Sequence, residues 1–217
     1  MSAPLRIDFV SDVSCPWCAI GLGGLQQALR NLEGEVQVDL HFQPFELNPK
    51  MAAEGEDVIE HIARKYGRTL QQAEQAQEVL RERGDAVGFV FNTEGRRRIY
   101  NTFDAHRLLH WAETEGLQAE LKAALFKAYF TDLKDLSDHA VLAQVAADTG
   151  LDAQRAAQIL ASDEFAEAVR AQEQFYLSNG INSVPAVIIN NRHLISGGQP
   201  AEVFEQALRQ ISASAPA

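Results

Sequence analysis

The chain has 217 residues, with 30 Asp and Glu against 19 Lys and Arg and a formal net charge of −11. That sign disfavours nucleic acid and anionic membrane surfaces as partners, and the only compact basic run, Arg96-Arg97-Arg98, is too short for a nucleic-acid face. Hydrophobic residues at 46% and charged residues at 23% are the balance of a globular fold with a sizeable core, which excludes a mainly disordered chain.

Leu5, Ile7 and Phe9 alternate with Arg6 and Asp8, which predicts a strand with one buried face. After the turn-rich Ser11-Asp12-Val13-Ser14 come Cys15-Pro16-Trp17-Cys18, the chain's only two cysteines. Pro16 suits the first turn of a helix capped at Ser14 or Cys15, and Ile20, Leu22, Leu25, Leu29 and Leu32 continue it to Gly34. Val36, Val38, Leu40 and Phe42 alternate with polar residues as a second strand, so the start reads as a βαβ unit with a right-handed crossover.

Beyond the proline-bracketed loop Pro44–Pro49 the texture becomes helical, with 3.6-residue periodicity. Helices are predicted over Asp57–Tyr66, Thr69–Arg83, Thr102–Glu115, Leu117–Phe130, Asp138–Asp148 and Asp152–Leu177, the last interrupted near Ser162-Asp163. Gly67, Gly84, Gly116, Gly150 and Gly180 read as their stops. Val184-Pro185 then leads into Ala186–Ile189, Asn190-Asn191 marks a hairpin turn before His193-Leu194-Ile195, and a helix over Ala201–Ile211 closes the chain before a frayed Ser212–Ala217. Three sections result: residues 1–48, a helical insertion 49–180, and a ββα section 181–217.

Two cysteines alone do not make a disulfide framework, and a zinc site would have to recruit two more ligands. His106 and His110 share a helix face at i, i+4, but no Glu follows His106, so the metalloprotease signature fails and no metal is expected. A cysteine pair two residues apart at a helix start reads instead as a redox couple. Orphan N–H groups and the helix dipole favour a thiolate on Cys15, and Cys18 lies one turn further along the same face. Cys15 is therefore the expected nucleophile and Cys18 the resolving thiol. Glu46 and Asn48 read as loop-shaping residues, and Phe126, Tyr129 and Phe130 as core contacts between helices.

Cys-x-x-Cys opening the helix of a βαβ unit, with a proline ahead of a later strand, resembles the thioredoxin fold. The helical insertion resembles its DsbA-like branch. Ser11–Gly21, Pro44–Pro49, Asn101–Leu108, Val184-Pro185 and Ile195–Gln199 together resemble the cytosolic FrnE-type subfamily of dithiol–disulfide isomerases and oxidoreductases. The resemblance implies an α/β thioredoxin-like fold with an all-helical subdomain inserted between its halves, and a cis Pro185 lying against the cysteines. It also implies a substrate site drawn from Pro16, Trp17, Phe45, Val184, Pro185, Asn101, Asp104 and His106. The substrate would be a thiol or disulfide, protein or small molecule, with no cofactor needed and glutathione a candidate thiol co-substrate.

Related glutathione-using enzymes such as 2-hydroxychromene-2-carboxylate isomerase typically carry serine where Cys15 stands, so a glutathione-dependent isomerase or transferase remains an alternative. A peptide-binding, chaperone-like module with a structural Cys-x-x-Cys is another. Trp17 replaces the His common in periplasmic DsbA proteins, which points to a less oxidising couple. With no segment of membrane-spanning apolar length and no signal-like start, a cytoplasmic location is expected.

Overall fold

The computed structural model describes residues 4–52, 54–94 and 97–214, so Arg96 of the basic run and the last three residues of the tail lie outside the described residues. The first elements are β1 (Leu5–Ser11), α1 (Pro16–Asn31) and β2 (Val38–Pro44), with β1 and β2 parallel and Phe9 in register with Phe42. The insertion follows as β3 (Glu56–Asp57), α2 (Val58–Tyr66), α3 (Leu70–Ala86), β4 (Arg98–Ile99), α4 (Phe103–Thr114) and α5 (Gln118–Phe126), then a π-helical turn over Lys127–Thr131, α6 (His139–Asp148), α7 (Ala153–Leu160) and α8 (Ala166–Ser178). The chain returns through β5 (Ala186–Ile189), β6 (His193–Ser196) and α9 (Ala201–Ser214). The main sheet runs β2-β1-β5-β6, with β5 antiparallel to both of its neighbours.

This is a DsbA-like thioredoxin fold, and local chemistry explains most of its joints. Asp57, Thr69, Asp138 and Asp152 cap α2, α3, α6 and α7 by accepting from first-turn N–H groups, and Thr69 forms a reciprocal capping box with Gln72. Asn190 and Asn191 turn the β5–β6 hairpin with φ of 52° and 53°, a left-handed pair that asparagine tolerates. Gln118 fastens α5 to the outer edge of β2: its Oε1 accepts the Phe42 N–H at 2.9 Å and its Nε2 donates to the Phe42 carbonyl at 3.0 Å. That side chain satisfies a strand edge that would otherwise stay open.

Three local expectations need correction. β1 is buried on both faces, since a hydrophobic cluster packs against each of them. Ile7 and Phe9 face the main core, Val10 meets Phe45, Tyr176, Ile181 and Ala186 on the other side, and buried Asp8 accepts from Arg6 and Gln43. Gly84 does not stop α3, which runs on to Ala86 before Gly88 takes φ +73°. Gly84 is instead a close-approach position, where a Cβ would lie 2.5 Å from both the Phe89 carbonyl and the Phe91 ring. The helix predicted as Leu117–Phe130 changes to π geometry after Phe126, and the turn buries Tyr129 and Phe130.

One continuous core joins the two parts of the fold. Phe9, Leu25 and Phe204 belong to the same buried cluster as Leu108, Leu121, Phe126 and Leu142 of the insertion. The break between α7 and α8 falls where the sequence places it. Arg107 fills it, with its Nε donating to the Glu164 carbonyl at 2.9 Å and its Nη2 to the carbonyls of Ile159 and Ser162.

Candidate active site

The site is built where β1 ends and α1 begins. Cys15 is the N-cap of α1, with φ −91° and ψ 111°, and Pro16 occupies the first turn. The Cys15 carbonyl accepts from the N–H groups of Cys18 and Ala19, which fixes one helical turn between the two thiols. Both cysteines are free, with Cys15 3% exposed and Cys18 not exposed at all. The Val184-Pro185 peptide bond is cis, and the Cys15 thiol donates to the Val184 carbonyl at 3.7 Å. Trp17 is 41% exposed beside them.

Glycines let the C-terminal section come this close. A Cβ on Gly198 would lie 2.8 Å from the Trp17 carbonyl, and one on Gly24 would lie 2.5 Å from the Gln199 carbonyl. The Gly197-Gly198 loop therefore lies directly against the first turns of α1.

Beneath the pair is a buried polar layer. Asp12 is wholly buried, and its carbonyl accepts the Cys15 N–H at 3.1 Å. Its carboxylate accepts from the N–H of Ser14 at 3.2 Å and of Leu47 at 2.7 Å, and lies 3.6 Å from His106 Nε2. Burial pushes the Asp12 pKa up, but His106 and the two N–H groups outweigh it and hold the carboxyl below its ordinary value. Burial, and then the neighbouring Cys15 side chain, push the Cys18 thiol well above the ordinary range. Lys122 on α5 is also fully buried: desolvation brings its ammonium down to about 8, while Cys18, Asp12 and Cys15 pull the other way. Lys65 on α2 donates to the Leu47 carbonyl at 3.0 Å and Asn48 Oδ1 at 2.8 Å, and it too feels Asp12 and Cys15.

The structure brings Pro16, Trp17, Val184 and Pro185 to the cysteine pair, and His106 to the Asp12 carboxylate. Phe45 lies in the smaller core cluster with Val10 and Ala186. Asn101 Oδ1 accepts the Phe103 N–H at 2.9 Å in the turn that leads into α4, and Asp104 pairs with Arg107 at 2.7 Å and His139 at 2.8 Å. His110 is half-buried against Phe165, with ring centroids 5.3 Å apart. Sequence reasoning missed Asp12, Lys65 and Lys122. Lys122 left a readable signal, because it lies on the helix face shared by Gln118, Leu121, Leu125 and Phe126, all buried.

Comparison with known proteins finds relatives of the same fold. The probable DsbA oxidoreductase SCO1869 of Streptomyces coelicolor superposes with a TM-score of 0.92 at 32% identity, over 98% of this chain and 92% of that one. The uncharacterized protein YwbO of Bacillus subtilis (strain 168) is 24% identical over 205 residues, covering 94% of this chain and 96% of its own. The cytosolic disulfide reductase DsbM of Pseudomonas aeruginosa, solved with glutathione, shares the fold with a TM-score of 0.65 at 14% identity, over 96% of this chain and 99% of that one. The family model described as a DSBA-like thioredoxin domain matches residues 6–209, and the chain belongs to that family.

Proposed function

We propose that the protein is a cytosolic thiol–disulfide oxidoreductase or dithiol–disulfide isomerase of the FrnE type, with Cys15 as nucleophile and Cys18 as resolving thiol. The observation that carries this reading is the placement of Cys15 at the N-cap of α1 with its thiol against the Val184 carbonyl. A helix start stabilises a thiolate through its unsatisfied N–H groups. An extended substrate lying along the Val184 backbone would present its sulfur to Cys15.

In the reductive direction the Cys15 thiolate attacks a substrate disulfide. One substrate sulfur leaves as a thiolate, which is then protonated, and the other is held as a mixed disulfide on Cys15. Cys18 loses its proton and attacks Cys15 Sγ, closing the Cys15–Cys18 disulfide and releasing the second substrate thiol. The substrate gains two electrons and the cysteine pair loses two. An isomerase runs the first step and its reversal on a protein with mispaired cysteines.

Glutathione suits the role of thiol co-substrate, since it is a small extended peptide with one sulfur and the DsbM structure holds it. A cytosolic site of action agrees with the description of DsbM. Among the described residues, no helix is long and apolar enough to cross a membrane.

A redox titration of the Cys15–Cys18 couple in glutathione buffers tests the proposal. The expected result is a single two-electron transition in which the disulfide forms and is reversed by dithiothreitol. A pair inert to both dithiothreitol and oxidised glutathione overturns it and favours a structural Cys-x-x-Cys. A glutathione-dependent isomerase acting on a small molecule would instead need Cys15 and survive Cys18→Ser.

A further inference from the structure

A chain with a net charge of −11 repels anions in general, yet one cation stands beside the cysteine pair without a carboxylate partner. Lys65 lies in the last turn of α2, an end already closed by Gly67, which takes φ +63° and donates its N–H to the Ala63 carbonyl. The Lys65 ammonium does not turn back to that end. It crosses to the loop after β2, where it donates to the Leu47 carbonyl at 3.0 Å and to Asn48 Oδ1 at 2.8 Å.

Both acceptors are neutral, and an ammonium carries three donors. The acids close by are engaged elsewhere. Glu46, next to Leu47 in sequence, pairs with Arg170, and Glu56 at the start of the α2 segment pairs with His61 and Arg64. Among the described residues, Lys65 has no carboxylate within ion-pair distance, and its hydrogen bonds leave one donor over.

Two sets of contacts hold this ammonium near Cys15. Leu47, whose carbonyl accepts from Lys65, donates its own N–H to Asp12 Oδ2 at 2.7 Å, and the Asp12 carbonyl accepts the Cys15 N–H at 3.1 Å. Leu47 also packs on the same small hydrophobic cluster as Val184, and the Val184 carbonyl meets the Cys15 thiol at 3.7 Å. Asp12 and Cys15 favour the charged form of Lys65 against the cost of its partial desolvation. Cys15 itself is only 3% exposed, so recognition of a substrate beyond its sulfur falls to groups around the thiol.

We propose that Lys65 binds a carboxylate of the substrate, so that the site favours low-molecular-weight thiols and disulfides carrying carboxylates over neutral or cationic ones. This rests on the redox reading of the cysteine pair. Leu47 and Asn48 hold the ammonium in place, and its remaining donor makes a charge-assisted hydrogen bond to the substrate. Cys15, having lost its proton to solvent, attacks the nearer sulfur of the bound disulfide. The Cys15–substrate bond forms as the substrate S–S bond breaks, and the far sulfur leaves with the bonding pair and is protonated from solvent. Lys65 touches the substrate away from the reacting sulfurs and sets which disulfide is taken.

The test follows mixed-disulfide formation on Cys15 by rapid-quench mass spectrometry in a Cys18→Ser background, where the adduct is not resolved. Three disulfides are used: oxidised glutathione, which carries carboxylates, bis(2-hydroxyethyl) disulfide, which is neutral, and cystamine, which is cationic. Each disulfide is compared with itself with and without the added substitution Lys65→Gln, so that differences in leaving-group strength cancel. Glutamine keeps an N–H donor for the loop and removes the charge. The rate with oxidised glutathione is expected to fall at least fivefold, the rate with the neutral disulfide to stay within twofold, and the rate with cystamine not to fall. Lys65→Arg is expected to keep the glutathione rate within threefold, and added salt to erode the advantage that Lys65 gives glutathione.

An equal loss with all three disulfides marks Lys65 as a brace for the loop alone and overturns the proposal, as does an unchanged rate with oxidised glutathione. A protein that forms no adduct on Cys15 with any of the three overturns the redox reading itself.

Discussion

The Cys15 thiol meets the Val184 carbonyl at 3.7 Å, although 169 residues separate the two in sequence. The whole helical insertion lies between them, so this contact forms only when the βαβ start and the ββα end have closed into one sheet through β1 and β5. The Cys15 thiol is thereby placed beside the backbone that leads into the cis Val184-Pro185 bond.

The ordered roles of the two cysteines lead to the first prediction. Cys18→Ser is expected to accumulate mixed disulfides through Cys15 when the protein is mixed with oxidised substrate, because nothing remains to resolve them. Cys15→Ser is expected to trap almost none, since Cys18 is wholly buried and its thiol is pushed well above the ordinary range. Non-reducing gels with peptide mapping read the result. Equal trapping by both variants would falsify the assignment.

The closeness of α1 to the C-terminal loop leads to the second. A Cβ at position 24 would sit 2.5 Å from the Gln199 carbonyl, a backbone atom that cannot swing aside as a side chain can. Gly24→Ala is expected to destabilise the fold by about 1–3 kcal/mol, the usual cost of overpacking. For a chain of this size that corresponds to a melting-temperature drop of roughly 2–4 °C per kcal/mol. Gln27→Ala, on the exposed face of the same helix, serves as the control and should change stability by less than about 0.5 kcal/mol. Thermal melts of the two variants side by side decide the matter, and equal melting temperatures would refute close packing at Gly24.

The sequence made the scaffold legible and hid the layer beneath the cysteines. Alternation in Leu5–Phe9 and Val36–Phe42, Pro16 after Cys15, and Asn190-Asn191 in the hairpin are local signals, and local signals mark elements well. Asp12 was legible only as part of a turn, because its partners Leu47 and His106 come from a distant loop and helix. Lys122 sits in an Ala-rich helix and carries no motif, although its neighbours on the helix face, Gln118, Leu121, Leu125 and Phe126, are all buried. The short β3–β4 ribbon gave no pattern at all, since two-residue strands are too short to alternate. Asp104 and Asn101 lie in the stretch that carries the family resemblance, but their side-chain partners here are helix contacts.

Burial of Lys122 leads to the third prediction, on stability against pH. Its folded pKa of about 8 lies below the ordinary 10.5, so the unfolded chain binds more protons between those values. Stability is therefore expected to rise with pH across that window as the cost of burying the charge is relieved. At 1.36 kcal/mol per pH unit, that cost at pH 7 is roughly 3 kcal/mol. Lys122→Met is expected to be more stable than the wild type at pH 7 and to lose this rise. Urea denaturation at pH 7, 8, 9 and 10 measures both effects. A destabilised variant with an unchanged pH slope would show that Lys122 is compensated in a way its surroundings do not suggest.

The last prediction concerns Trp17, which sits in the first turn of α1, 41% exposed, with its ring edge near Gly198. An aromatic side chain there offers no charge to the neighbouring sulfur. Trp17→His is expected to make the Cys15–Cys18 couple more oxidising. An imidazolium beside Cys15 stabilises a thiolate and hence the reduced form, whereas the disulfide has no thiolate to stabilise. The helix N-terminus opposes this by disfavouring a cation in the first turn, an effect of about 0.3–1 kcal/mol at exposed positions. A charge-assisted hydrogen bond to the sulfur is stronger than that, so the net shift should be positive. For a two-electron couple about 30 mV corresponds to ~1.4 kcal/mol, so a single good contact moves the potential by a measurable amount. Wild type and variant are titrated in the same glutathione buffers at pH 7 and again at pH 8.5, where the imidazole is neutral. The difference should be large at the lower pH and shrink at the higher one. A potential that is unchanged or more negative at pH 7 would mean that Trp17 acts through its exposed ring alone, as a docking surface for substrate, and that case would change exchange rates while leaving the potential where it was.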